Sequence, residues 1–271
     1  MKPRTVEELA LMRESGRMSA LALKNVIAAV KSGVTLKELE AVVARTIEAE
    51  GGTASFKTVP GYHWYTCINI NEEVVHGIPR DIVLKKGDKV SIDLGALYKG
   101  WHTDTAWSVI VESEYAEHDA SRSADELGSE SEREEIKKKK RFLSAGEEAL
   151  WAGVSKAVAG NRIGDIGSAM QKTIEGAGFE VVRSLIGHGV GKELHEDPEI
   201  PGYGKAGTGL VLEEGQTIAI EAIYTETTQE VVLAEDGWTI ASEDGSLGGL
   251  FEMTVIVGKD KAEVITDWRK V

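Results

Sequence analysis

The chain has 271 residues, 42% of them hydrophobic, enough to bury a full core. Its formal charge of −14 argues against broad nucleic-acid binding. No apolar run reaches the roughly 18 residues of a membrane span, and Met1-Lys2-Pro3-Arg4 opens no signal-peptide core. In chain order, Leu9, Met12, Met18, Leu21, Leu23, Val26 and Val30 recur at helical spacing, predicting a helix over 6–30 that stops at Ser32-Gly33. A second helix starts after Thr35, with Glu38 completing a capping box, and ends at Gly51-Gly52. A strand is expected over 66–75, a loop over 76–81, and a hairpin with arms 89–97 and 101–111 around Lys99-Gly100. That hairpin puts Asp93 and Asp104 on facing strands.

Residues 112–135 carry ten acidic and two basic side chains and almost no large apolar ones, so they are expected to form a mobile acidic insertion. The basic run Lys137-Lys138-Lys139-Lys140-Arg141 reads as a solvated helix start beside it, with a contact patch for an anionic partner as the alternative. Further helices are predicted over 138–158 and 163–176, and strands over 181–182, 216–225, 230–233, 238–241 and 250–257. The single cysteine, Cys67, has no intramolecular partner and fits a reducing cytoplasm.

The second half repeats the first. Gly33-Val34-Thr35-Leu36 with Thr46-Ile47-Glu48 and Gly51 matches Gly160-Asn161-Arg162-Ile163 with Thr173-Ile174-Glu175 and Gly178 at a constant offset, and one residue of slippage later 82–93 aligns with 210–221. The expected organisation is one domain of two halves, about 5–111 and 136–258. Asp93 and Glu221 become equivalent positions, each ending an apolar run where a buried carboxylate is costly unless paired or bound to metal. A second acid follows in each half, Asp104 and Glu252, and His188, flanked by Gly187 and Gly189, is the best nitrogen ligand. Four carboxylates and one imidazole exceed the needs of one small cation. Two divalent ions roughly 3.5–4 Å apart would use them all, and the mixed ligands favour Mn, Fe, Co or Zn.

The run Cys67-Ile68-Asn69-Ile70-Asn71-Glu72-Glu73-Val74-Val75-His76-Gly77-Ile78-Pro79, the 93–104 hairpin, Gly187-His188-Gly189-Val190-Gly191-Lys192-Glu193-Leu194-His195-Glu196-Asp197-Pro198, Ile220-Glu221 and Phe251-Glu252-Met253-Thr254 together resemble a type I methionine aminopeptidase. The resemblance implies an α+β pita-bread fold: a curved antiparallel sheet backed by two helix pairs related by a pseudo-twofold axis, with metals at its centre. By the same resemblance, Asp93 would chelate one metal, His188 and Glu221 the other, and Asp104 and Glu252 would bridge them. His76 and His195 match the substrate-facing histidines, and Cys67, Tyr62 and Trp238 match positions lining the methionine pocket. The implied activity is cytoplasmic excision of the initiator methionine from nascent chains, by a monomer that contacts the ribosome transiently and no membrane. The expected chemistry makes Glu221 the proton carrier and His76 and His195 the groups that stabilise the scissile amide. His102 is read as support for the hairpin, and His63 and His118 carry no assigned role.

Three residues depart from the family: Ala222 stands where proline is usual, Leu250 where glutamine is, and Met253 where histidine is. The rival readings are a catalytically weakened pita-bread protein that binds partners or RNA, and a related exopeptidase such as a proline dipeptidase. Retention of every expected ligand weighs against the first, and the short segment before the first repeat weighs against the second.

Overall fold

The computed structural model describes residues 2–111 and 129–271. Four helices, α1 (Val6–Ala29), α2 (Leu36–Ala49), α3 (Glu130–Val154) and α4 (Ile163–Gly176), form two sequential pairs. Thr5 with Glu8 and Thr35 with Glu38 cap α1 and α2 reciprocally, as a Thr-x-x-Glu spacing dictates. Ser129 and Glu132 do the same for α3, which therefore starts eight residues before the expected Lys138. Glu130 to Glu135 thus belong to a helix rather than to the insertion, because a capping box inside an acidic stretch can still nucleate a turn. The remainder of the acidic segment, 112–128, and His118 within it lie outside the described residues.

Seven strands form the spine of one antiparallel sheet: β1 (Thr66–Ile70), β2 (Lys89–Leu94), β3 (Thr105–Ile110), β4 (Gly187–Gly189), β5 (Glu196–Ile200), β6 (Thr217–Thr225) and β7 (Gly248–Ile256). Their order is β5-β4-β6-β7-β3-β2-β1, and the short strands Glu180–Val181 and Glu263–Val264 join β6 and β7. The duplication is visible in the pairing. Thr35 bridges Val83 and Arg162 bridges Val211, equivalent contacts in the two halves, and the halves meet where β3 lies beside β7. All four helices bury their apolar stripes in one core with the inner residues of the sheet, among them Leu23, Val43, Ile92, Leu150, Ile166 and Ile220. Gly146 lets α3 reach the sheet, since a Cβ there would stand 2.4 Å from the Tyr224 ring, whose hydroxyl donates to Phe142 O at 2.7 Å.

Several predicted strands are cut differently. The 66–75 stretch breaks at Asn71, whose φ of +48° turns the chain, so Glu73–Val75 leaves the main sheet to pair with Ile240–Ser242. The hairpin arms also break, at Gly95 and at Thr103-Asp104. Their tips, Ala96–Tyr98 and Trp101–His102, form a small sheet with Thr53–Ala54. There His102 Nδ1 lies 3.1 Å from Ser55 Oγ. Strands β4 and β5 were not expected at all, because glycine and charge mask their alternation.

On the face of the sheet that carries Asp93, a polar track runs toward that residue. The fully buried Lys89 Nζ donates to Glu73 O at 2.9 Å and Ser91 Oγ at 3.2 Å, and Ser91 meets Ser108, whose hydroxyl donates to Leu250 O at 2.6 Å. Burial outweighs the attraction of Glu73 and Glu72 and brings the ammonium down to about 7. The unfolded chain keeps that proton to roughly pH 10.4. Between those values it binds more protons than the native state, so native stability rises with pH, while below about 7 the penalty is fully present. In Lys89→Met that gain is absent, so the stability of the variant relative to the parent should fall as pH rises from 7 to 10, read from urea midpoints. A difference independent of pH would refute the lowered pKa of the buried lysine.

Candidate active site

Cys67, Asp93, Ala106, Glu252 and Glu221 occupy a single row across β1, β2, β3, β7 and β6. Residues directly opposite one another in a sheet share a face, so three carboxylates and the thiol converge. Ala106, with only a methyl group, stands between Asp93 and Glu252 and leaves the space they point into. Asp104 lies two residues before Ala106, and His188 pairs with Ala219, two residues before Glu221, so alternation brings both to the same face. Asp104 is thus diagonal to Asp93 rather than directly facing it.

Ligand-type atoms of Asp93, Asp104 and Glu252 lie within 4.8 Å of one another, as do those of His188, Glu221 and Glu252. Asp104, His188 and His195 form a third such group, and His188 Nε2 is 3.9 Å from Asp104 Oδ2. His188 Nδ1 lies 2.9 Å from Gly189 O; as its donor it leaves Nε2 free for the carboxylates. Asp104 is fixed through its neighbours: its amide donates to Thr254 Oγ1 at 2.9 Å, and its carboxylate accepts Thr105 N at 2.9 Å.

Asp93, Asp104 and Glu252 are 8, 4 and 3% exposed. Burial pushes Asp93 up to about 7, and burial with repulsion from Asp93 pushes Glu221 up to about 8. Burial also raises Asp104 and Glu252 well above the carboxylate range, with the neighbouring acids adding to it. His188 falls to about 4 for the same reason of burial. Asp93 Oδ1 and Glu252 Oε1 are buried without a hydrogen-bond partner. Acids this close, with acceptor atoms unmatched and a neutral imidazole beside them, fit divalent cations with oxygen and nitrogen ligands.

His76 follows the strand Glu73–Val75 with φ +60°, a left-handed conformation that costs of order 1–3 kcal/mol in a residue with a side chain. The next residue holds it there. Gly77 N donates to Asn69 Oδ1 at 2.7 Å and Gly77 O accepts Ile68 N at 2.7 Å, a clamp so close that a Cβ would stand 2.4 Å from Ile68 O. The His195 ring packs edge-on against His188 at 4.4 Å. Solvent reaches His76 and His195, yet lost hydration lowers the pKa of each, and mutual repulsion adds to it at His76.

A cavity of about 370 Å³ joins this centre to an apolar recess. Phe56, Tyr62, Cys67 and Leu194 are buried in the recess, with Trp64 and Trp238 at its edge. Tyr62 Oη donates to Thr66 O at 2.7 Å, lies 3.1 Å from Cys67 Sγ, and its ring meets Trp238 edge-on at 5.0 Å. Burial, then Asp93, raises the Cys67 thiol, which behaves as a small apolar surface. The structure therefore brings every expected site residue to one cavity: Asp93, Asp104, His188, Glu221, Glu252, His76, His195, Cys67, Tyr62 and Trp238. Sequence reasoning did not single out Phe56, Val59, Leu185, Ile223 or Glu199, which also line it. Leu194 was legible only as a neighbour of His195. His63 stands apart, its ring 6.0 Å from Trp64.

The three departures divide by face. Leu250, two residues before Glu252, lies on the site's face and packs with Val75, Ala106 and Ile223. Ala222 and Met253 point into the opposite core, where the hydroxyls of Thr105 and Thr266 approach the Met253 sulfur at 3.6 and 3.3 Å.

The model for Metallopeptidase family M24 matches residues 10–259. The chain belongs to metallopeptidase family M24. Its M24 relatives include Methionine aminopeptidase 1 of Bacillus subtilis, 36% identical over 263 residues that cover 97% of this chain and 98% of that one. The crystal structure of methionine aminopeptidase from Thermotoga maritima matches with a TM-score of 0.87 and 37% identity, over 98% of this chain and 99% of the other. Prolidase from Pyrococcus furiosus shares the fold at a TM-score of 0.72 and 24% identity, and here the match covers 97% of this chain but 65% of the prolidase. The M24 chain thus has the pita-bread fold, and as a metallopeptidase it depends on a divalent metal. Among its described residues no helix is long and apolar enough to cross a membrane.

Proposed function

We propose that this M24 enzyme removes the N-terminal methionine from nascent proteins and short peptides. The observation that carries the reading is the continuity of the carboxylate row with the apolar recess: Cys67 stands in the same row as Asp93 and forms the recess wall with Tyr62. A thioether side chain seated there puts the adjoining amide beside the carboxylates. Relatives similar over almost their entire length carry the name methionine aminopeptidase, which supports the same substrate.

Asp93 would hold one ion, His188 and Glu221 the other, with Asp104 and Glu252 shared, so the five side chains would hold two divalent ions of the Mn, Fe, Co or Zn type. When bound, such ions supply Lewis acidity and a nucleophile at neutral pH. The protein's own groups do the rest. Tyr62, Cys67, Trp238 and Leu194 orient the substrate by packing on its side chain and exclude water from that end. His76, fixed by its left-handed backbone, and His195 donate hydrogen bonds to the scissile amide as charge develops on it. Glu221 carries the proton to the leaving amine. A free α-amine bound beside the ions, next to the recess, accounts for exopeptidase action. A buried lone Cys67 and nascent-chain substrates fit a cytoplasmic monomer in transient contact with the ribosome.

The test is methionine release from Met-Ala-Ser against Ala-Ala-Ser, with each metal and with chelator. Release of methionine alone, lost on chelation and restored by metal, supports the reading; equal turnover of both peptides refutes it. In the same assay, His76→Ala and His195→Ala should keep their metal and lose on the order of 2.7–4 kcal/mol of transition-state stabilisation, the usual cost of one such donor. His188→Ala should release metal instead. Metal loss in His76→Ala would overturn this division of the histidines.

A further inference from the structure

We infer that Arg4, in the arm that precedes α1, is a positioning residue for His195. Its side chain crosses 192 residues of sequence to pair with Glu196, the immediate neighbour of His195. The pair is largely enclosed, at 13 and 17% side-chain exposure, so solvent screens it less than a surface ion pair. Glu196 also organises the turn that leads into His195, because its other carboxylate oxygen accepts Lys192 N at 2.6 Å and Glu193 N at 3.1 Å. One carboxylate therefore joins the arm to both ends of the Lys192–Glu196 turn.

Arg4 is itself held firmly. Its amide donates to Gly215 O at 2.9 Å, its Nε to Thr217 Oγ1 at 3.3 Å, and its guanidinium stacks on Trp101 at 5.2 Å. The next residue, Thr5, caps α1, so the root of the side chain is locked to a long helix. The turn is built to admit it: a Cβ on Gly191 would stand 2.2 Å from Arg4 Nη2. From the far side His102 N donates to Gly191 O at 2.7 Å. His195 emerges from this braced turn with its ring against His188. Without Arg4, Glu196 keeps its two backbone donors within the turn but loses its side-chain tie to the arm, and the turn gains freedom to shift the imidazole. Among the described residues Arg4 bonds to no member of the carboxylate row, and its contact with β6 lies at Thr217, four residues before Glu221, so its route to the chemistry is the turn that carries His195.

The proposal rests on the role of His195 given above, and a double-mutant cycle separates the two. Parent, Arg4→Ala, His195→Ala and the double variant are compared for kcat, KM, bound metal and Tm with a Met-Ala-Ser peptide. Misplacing a catalytic group by about 1 Å can cost roughly 100-fold, so Arg4→Ala should lower kcat by about 10- to 100-fold. KM and metal content should stay within about twofold of the parent. In the His195→Ala background the same change should alter kcat by less than about twofold, since a residue that works through another has nothing left to act on. Arg4→Lys should recover part of the rate, and Gly191→Ala, which displaces the guanidinium without altering charge, should reproduce the loss even if Arg4→Ala folds poorly. An equal loss in both backgrounds, or a lowered Tm with unchanged kcat, overturns the proposal alone. Unchanged kcat in His195→Ala overturns the role of His195 and this proposal with it.

Discussion

Asp104→Asn and Glu252→Gln should each take methionine release below detection and lower bound metal in step. Each of these acids belongs to two of the three ligand groups in the cavity, and both belong to the group that contains Asp93. Replacing either by an amide removes the charge from two ligand sets at once. The loss should exceed the roughly 10–100-fold typical of removing a supporting partner. Folding gives the control. Both acids are buried and repelled by their neighbours, so the amide should hold or raise the Tm measured in chelator, separating a broken site from a broken fold. Metal content by mass spectrometry alongside kinetics decides it, and full activity in either variant removes the two-ion reading.

Ala106→Leu should be equally severe although it removes no ligand. Ala106 is fully buried and is the central member of the row, opposite Asp93 on one side and Glu252 on the other. Three added carbons would occupy the space the carboxylates share, on a strand that cannot retreat because both neighbours pair with it. Overpacking costs typically 1–3 kcal/mol of stability. Its greater effect should be loss of metal, seen as stoichiometry near zero in a protein that still unfolds cooperatively. Ala106→Gly, by contrast, should bind metal almost normally. If the leucine variant binds metal as the parent does, the space beside Ala106 is not where the ions sit.

Most of the fold and the candidate ligands were legible because they are written locally. The capping box at Thr35, helical spacing in 6–30, and acids at the ends of apolar runs follow from the chemistry of neighbours in sequence. The duplication then gave long-range information without a structure, by aligning Asp93 with Glu221. What could not be read is what depends on register or on side chains far apart. Ala106 looks like any strand alanine until pairing sets it between two acids. Gly187–Gly189 becomes a strand because β6 offers it an edge, and Glu196–Ile200 because Gly187–Gly189 then offers the next, not because their residues favour one. The tie from Arg4 to Glu196 leaves no signal in spacing. The start of α3 was legible in Ser129-Glu130-Ser131-Glu132, yet the acidic composition around it hid a local rule.

The duplication also shows how two copies of one unit came to do different work. Ala219 and Ser91 are equivalent positions in β6 and β2, and the residues paired with them on the adjoining strands are His188 and Asn69. Where one copy presents an imidazole to the buried carboxylates, the other presents an amide that grips Gly77 and keeps His76 in its twisted backbone state. The symmetry is thus broken at this pair of places, where the same strand position carries an imidazole facing Asp104 in one copy and an amide holding Gly77 in the other. Neither copy could be exchanged for a second version of its twin, since a chain with two imidazoles would lose the grip on Gly77 and a chain with two amides would lose the imidazole beside Asp104.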